Sequence, residues 1–257
     1  MRRFFKQLIY GALFLIILAL IGGAVFYFLW PKASCVDNKL NQNEEKIDCG
    51  GKCIPCALKN PEPLKISSVE VFDNGNNTIT VLGEINNPNQ LLGSENFIYT
   101  INLYDKNGKN IFSKSRTTFI YPGKNRTIIE AAIGVSPSEV DRAEIVTGNV
   151  DNWQVEEDFN GIPEKNIAVD KVSVQNLRGD FILKGKLINN NSFKVKKIIV
   201  KAVLYNSSGL REAASFTVVE NLDAFKSADF AIQIPMKKEV ASRIDPDKTK
   251  LIVEIER

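Results

Sequence analysis

Phe97-Ile98-Tyr99-Thr100-Ile101-Asn102-Leu103-Tyr104 is the stretch whose reading decides the fold. Phe97, Tyr99, Ile101 and Leu103 fall on one face, the period-two mark of a strand with one side in a core. Asp105-Lys106-Asn107-Gly108 follows and reads as a hairpin turn. The pattern returns 101 residues later as Ile198-Ile199-Val200-Lys201-Ala202-Val203-Leu204-Tyr205. There Ile198, Val200, Ala202 and Leu204 share a face, and Asn206-Ser207-Ser208-Gly209 supplies the turn. Upstream, VLGEINNPN at 81–89 matches LKGKLINNNS at 183–192 with a slip of a couple of residues. A repeat of domain length implies a duplicated domain, since solenoid periods run about 20–50 residues.

Working outward, short alternating runs broken by Asn, Gly and Pro predict strands throughout both copies. In the first they cover 66–72, 77–86, 97–104, 110–120, 126–134 and 142–147, with 153–155 trailing. In the second they cover 167–175, 180–189, 196–205, 212–219, 225–234 and 251–256. Segments 136–143 and 237–244 each allow one or two helical turns. Strands at this spacing, with no long helical period, predict a mainly β chain of two tandem immunoglobulin-like sandwiches. Trp153 and Tyr121, at strand ends, read as covers for the core. Asn160-Gly161-Ile162-Pro163 reads as the hinge between the domains.

The amino end differs in kind. From Leu8 to Trp30 run 23 uncharged, mostly apolar residues, enough to span bilayer hydrocarbon as a helix of roughly 20 residues. Pro31 follows, and Tyr27 and Trp30 stand where aromatic rings favour the membrane interface. Arg2, Arg3 and Lys6 precede the run, and by the positive-inside rule they place the amino terminus in the cytoplasm. The apolar core exceeds the roughly 7–15 residues of a cleaved signal, so the segment is expected to stay as an anchor. Gly22-Gly23 lacks the GxxxG spacing of a packing motif.

All four cysteines, Cys35, Cys49, Cys53 and Cys56, fall just after this helix. The segment is too polar to fold on a core of its own, so two disulfides are the expected constraint, with Cys35 bonded to one of the other three. Two alternatives stand beside this. Four thiolates make a zinc site, although only Cys53 and Cys56 have knuckle spacing. Cys53-Ile54-Pro55-Cys56 also has the form of a redox motif, which needs a helix start behind it; the following sequence reads as a linker. The oxygen-rich stretch with Asp37, Asn38, Asn41, Asn43, Glu44, Glu45 and Asp48 has ligands for calcium without EF-hand spacing, and reads as a polar loop.

The string of Cys35, Asp37, Asn41, Glu44 or Glu45, Asp48-Cys49-Gly50-Gly51, Cys53 and Cys56 resembles a short DCGGxCxxC cysteine motif of bacterial and archaeal envelope and secreted proteins. That resemblance implies an extracytoplasmic address. Ile101-x-Leu103-Tyr104-Asp105 with Gly108 resembles the FxLYD domain family, which groups with immunoglobulin-like and LEA14-type sandwiches. Ala202-Val203-Leu204-Tyr205-Asn206 matches it less well. The resemblance implies a non-catalytic envelope module.

The expected layout is a cytoplasmic amino terminus at 1–7, a transmembrane helix at 8–30, and a cysteine-rich stalk at 31–62. The first sandwich covers 63–158, a linker 159–164, and the second sandwich 165–257. The chain has no histidine, which removes histidine-based triads, histidine metal sites and the usual pH switch. No GxSxG, P-loop or GxGxxG is present. Glu156-Glu157 is a carboxylate pair without a burial signal and reads as solvated. No catalytic residue, cofactor or metal is expected.

Net charge is only +3, and no basic stripe with interleaved aromatics suggests nucleic acid. Lys194, Lys196, Lys197 and Lys201 read as a solvated strand face. Asn76, Asn125, Asn190 and Asn206 begin N-x-S/T sequons. The expected partners are the membrane, through Leu8 to Trp30, and an envelope protein. The expected function is a membrane-anchored structural or binding module. The alternative is an accessory scaffold subunit of a secretion, pilus or transport complex.

Overall fold

The computed structural model describes residues 2–30, 32–155, 166–177 and 180–256. The chain divides into two compact units, Met1–Lys59 and Asn60–Arg257. The expected linker at 159–164, the hinge at 160–163 and the pair Glu156-Glu157 lie outside the described residues.

The first unit begins with helix α1 (Arg2–Leu29), which starts earlier than the apolar run and takes in Arg3 and Lys6. Residues Arg3–Leu29 are long and apolar enough to cross a membrane, and the core of that span buries nothing against the protein. A helix suits hydrocarbon because its backbone groups are satisfied within the segment. The cysteine segment that follows has almost no regular structure: a lone bridge between Lys46 and Cys49, then the four-residue helix α2 (Cys56–Lys59).

Disulfides Cys35–Cys53 and Cys49–Cys56 hold this segment together. Its turns use left-handed backbone at Asn38, Gln42, Asn43 and Asp48 as well as at Gly50 and Gly51. A Cβ on Gly51 would stand 2.1 Å from the Asn43 carbonyl oxygen, so only glycine fits there.

The second unit contains thirteen strands among the described residues, all paired antiparallel. The first seven are β1 (Lys65–Gly75), β2 (Thr78–Asn86), β3 (Leu92–Tyr104), β4 (Asn110–Ile120), β5 (Asn125–Ile133), β6 (Arg142–Thr147) and β7 (Trp153–Val155). They form sheets β1-β2-β5 and β4-β3-β6, with β7 also on β3. The other six are β8 (Ile167–Leu177), β9 (Asp180–Asn189), β10 (Val195–Tyr205), β11 (Arg211–Leu222), β12 (Ser227–Ile234) and β13 (Lys250–Glu256). They form sheets β8-β9-β12 and β11-β10-β13, the same strand order as the first set.

Each sandwich has its own core. Ile79, Val81, Ile85, Phe97, Tyr99, Ile101, Leu103 and Ile145 fill the first. Leu183, Leu187, Ile198, Val200, Ala202, Leu204 and Ile232 fill the second. The expected alternation of Phe97 to Leu103 and of Ile198 to Leu204 is thus the observed one. Trp153 is half-buried against the first core. The helical turns are a 3₁₀ turn at Pro137–Glu139 and helix α3 (Lys238–Ala241).

The matched segments at 81–89 and 183–192 build the same devices. A Cβ on Gly83 would stand 2.1 Å from Ile145 Cδ1, and one on Gly185 2.7 Å from Phe230 Cζ, so both glycines admit a packed neighbour. Asn87 donates its side-chain amide to the Leu92 and Tyr121 carbonyls. Asn189 donates in the same way to the Phe193, Leu222 and Asp223 carbonyls. Each clamp ties the loop entering β3 or β10 to the loop leaving β4 or β11. The Asp105 carboxylate accepts from Asn107 and Lys109 backbone N–H, and the Asn206 side chain accepts from Ser208 and Leu210.

Candidate functional site

The sites read from the sequence lie in the cysteine segment. Cys53 and Cys56 are not bonded to each other, so the CxxC spacing does not form a redox pair, although α2 starts at Cys56. The Glu44 carboxylate lies 3.2 Å from Cys53 Sγ, close to Cys35 as well. Both sulfurs are in a disulfide and offer no thiolate to a metal.

The acidic residues are occupied as turn caps. Asp37 accepts from Ser34 and Lys39 backbone N–H and from the Asn41 amide. The Asn41 bond, followed by the backbone bonds, holds Asp37 below the usual carboxylate range. Glu44 accepts from the Asn41 and Asp48 backbone, and Asp48 from that of Asn38. Asp48, expected in a polar loop, is buried.

A second region was not signalled as a site: the seam between the two sandwiches. In the β1-β2-β5 sheet, strands β2 and β5 are buried on both faces, with Val81 turned into its own core and Leu82 away from it. In the β11-β10-β13 sheet the central strand β10 is buried likewise, with Ala202 inward and Val203 outward. Phe72, Leu82 and Ile129 meet Val203 and Ala214 in a shared apolar cluster, with Ala131 and Tyr205 at its border. Strand β11 touches β1, β2 and β5, so it crosses the whole opposing sheet.

Charged groups flank this cluster. Lys201 is buried, which corrects its expected place on a solvated face. Its ammonium donates to the Thr127 carbonyl at 2.5 Å and to Glu254. Arg126 pairs with the same Glu254 oxygen at 2.8 Å, donates to Thr118 Oγ1, and lies over the Phe119 ring. Burial, then the Arg126 charge, pushes the Lys201 ammonium down to about 8, against the pull of Glu254.

On the other flank Arg211 reaches from β11 to Glu70 at 2.8 Å and Glu84 at 2.7 Å, and donates to Ser68 Oγ. Lys237 pairs with Asp73. Truncating one member of a buried ion pair typically costs about 3–5 kcal/mol, because a charge is left without a partner.

Beside the seam opens a cleft of about 570 Å³. Tyr99, Arg116, Phe119 and Arg126 line it from the first sandwich, and Ile199, Lys201 and Phe216 from the second. Glu130 is held by Lys114 and by Arg116 at 2.9 Å. Burial pushes its carboxyl up, but those two cations outweigh it and keep it below the ordinary range. Burial first, and Glu130 second, push the Tyr99 phenol up to about 12. The chemistry of the cleft is therefore that of fixed charges in pairs. Glu130 and Glu254 each serve two cations.

A signal for the seam was present in the sequence. Val203 is apolar where the first sandwich has Asn102, and Val81-Leu82 is an apolar pair within a strand where the second has Leu183-Lys184. Continuous apolar runs mark strands buried on both sides.

No family model matches the chain, and no curated protein matches it. Among solved structures, similarity is found to a β-glucuronidase from glycoside hydrolase family 2, with 11% identity and a TM-score of 0.23 over 63% of this chain. A β-glucuronidase of Bacteroides uniformis is similar at 12% identity and a TM-score of 0.22, again over 63% of this chain. The chain spans 20% and 22% of the lengths of those two proteins. Scores this low carry no argument about what this chain does.

Proposed function

We propose that this protein is a single-pass, membrane-anchored, non-enzymatic module that presents two docked β-sandwiches outside the cytoplasm, with its amino terminus inside. The carrying observation is one helix fit to cross a membrane followed directly by a segment closed by two disulfides. Structural disulfides persist in oxidising compartments, which supports an extracytoplasmic address at the cell envelope. The denser basic charge ahead of the helix supports the orientation. We read the sandwiches as a duplicated FxLYD-like module. The shared strand order and the repeated Asn87/Asn189 and Gly83/Gly185 devices support that reading.

The paired charges of the cleft support a structural or binding role, with an envelope protein as the partner. The buried seam gives weight to a second reading, a rigid scaffold subunit of a secretion, pilus or transport complex.

Protease added to intact cells should degrade the sandwiches, and alkylation without reductant should label none of the four cysteines. Protection of the sandwiches until the cytosol is opened, or labelling of all four cysteines, overturns the reading. Crosslinking in native membranes separates the two roles: a stoichiometric complex favours the scaffold, and transient contacts favour the binding module.

A further inference from the structure

The loops joining sheets at one end of each sandwich adopt the same turn. In the first sandwich it is Tyr121-Pro122-Gly123-Lys124, closed by a bond from Lys124 N–H to the Tyr121 carbonyl. In the second it is Asp223-Ala224-Phe225-Lys226, closed by the equivalent bond from Lys226 to Asp223. The third residue is left-handed in both, with φ +60° at Gly123 and +56° at Phe225. This position favours glycine, and a bulky side chain there is strained. Phe225 gains no packing in return, for it is 69% exposed. Strain kept without compensating contacts points to a role outside the fold.

Phe193, 50% exposed, stands on the neighbouring loop. The Asn189 clamp binds both loops, so the two rings are presented from a fixed base. Around them stand exposed Lys226 and, at the start of β10, exposed Lys196, while Lys194 pairs with the loop acid Asp223 at 3.6 Å. The first sandwich carries Lys124 on the corresponding loop, exposed Glu95 at the counterpart of Lys196, and Leu91 as the exposed large apolar side chain of these loops.

We infer that the Phe193–Phe225 tip is a lipid-contact site that inserts both rings between headgroups, with Lys196 and Lys226 on anionic lipid. Exposed aromatic or aliphatic side chains flanked by lysine suit a bilayer interface, where binding combines apolar burial with attraction to anionic lipid. A bilayer also needs no complementary pocket. The inference rests on the anchor reading: a chain that crosses the membrane keeps lipid at high effective concentration around the domains it carries.

The test uses the full chain, reconstituted through its own helix into vesicles of phosphatidylcholine with or without phosphatidylglycerol. Phe225→p-benzoylphenylalanine should yield lipid adducts on irradiation. The yield should exceed that of the same photoprobe at Leu91 at least fivefold, and should fall when phosphatidylglycerol is left out. Phe225→Gly should keep or raise the thermal midpoint while the tip loses its lipid-dependent protection from hydrogen exchange.

A chain that floats with vesicles but gives no more lipid adduct at 225 than at 91, or only adducts to a second copy, overturns the tip and spares the anchor. A chain that fails to float overturns both. A marked drop in midpoint for Phe225→Gly would assign the ring to the fold and sink the inference.

Discussion

The two sandwiches have the same strand order, yet they meet through opposite sheets. The first offers β1-β2-β5 and the second β11-β10-β13, the counterpart of the first sandwich's free sheet. Equivalent positions show what changed. Leu82 is sealed in the seam, while Lys184, its counterpart, is exposed on β9 between Ser173 and Ala231. Val203 is sealed in the seam, while Asn102, its counterpart, accepts from Ser113 and Asn110 on an open face. Docking of unlike faces is head-to-tail and has no built-in end.

Substitutions can break or sharpen that contrast. The largest expected effect is at Glu254. Glu254→Ala leaves Lys201 and Arg126 facing each other, and about 3–5 kcal/mol of stability should be lost in thermal or denaturant unfolding of the detergent-solubilised chain. Replacing Glu254, Lys201 and Arg126 together by Leu, Met and Met should restore most of it. Next, Leu82→Ala should cost about 2–5 kcal/mol, and the equivalent Lys184→Ala no more than about 0.5. Equal losses at the two sites would abolish the distinction between docked and free sheets. Asn87→Ala and Asn189→Ala should each cost about 1–3 kcal/mol, because each strands the carbonyls its clamp satisfies. Here the prediction is equality between copies, and a clear inequality would end the claim that the clamps are equivalent.

A further contrast lies in alkaline titration. Lys201 in the fold holds its proton less firmly than an ordinary lysine at 10.5, with a pKa of about 8. The unfolded state then binds more protons above pH 8, so this residue's contribution to stability rises from about pH 8 towards 10.5. Tyr99 has the opposite sign. Its pKa is raised from 10.0 to about 12, the unfolded state deprotonates first, and its contribution falls across that window. Stability–pH curves of Lys201→Met and Tyr99→Phe, each subtracted from the parent, should therefore slope in opposite directions. Parallel differences would show that neither group is perturbed as described.

The strands were legible because alternation is local. Leu103 and Leu204 announce an inner face without reference to any partner. The seam was less so, because a lysine among apolar neighbours reads as an exposed edge until its partner is known. Lys201 finds its oxygens at Thr127, in the other sandwich, and at Glu254, near the end of the chain. The cystine pairing was hidden for a related reason. It depends on the left-handed run through Asp48, Gly50 and Gly51, which returns Cys49 to Cys56 and leaves Cys53 for Cys35. The tip was hidden by side-chain identity: no local rule marks a phenylalanine as occupying a glycine's place until the two turns are superimposed.

The asparagine clamps have a wider consequence. Each fixes its loops through main-chain carbonyls, which every residue type provides. Letters at the rim can therefore be exchanged without disturbing the frame beneath. Natural variation and protein engineering alike would have a tolerant place to write new specificities there.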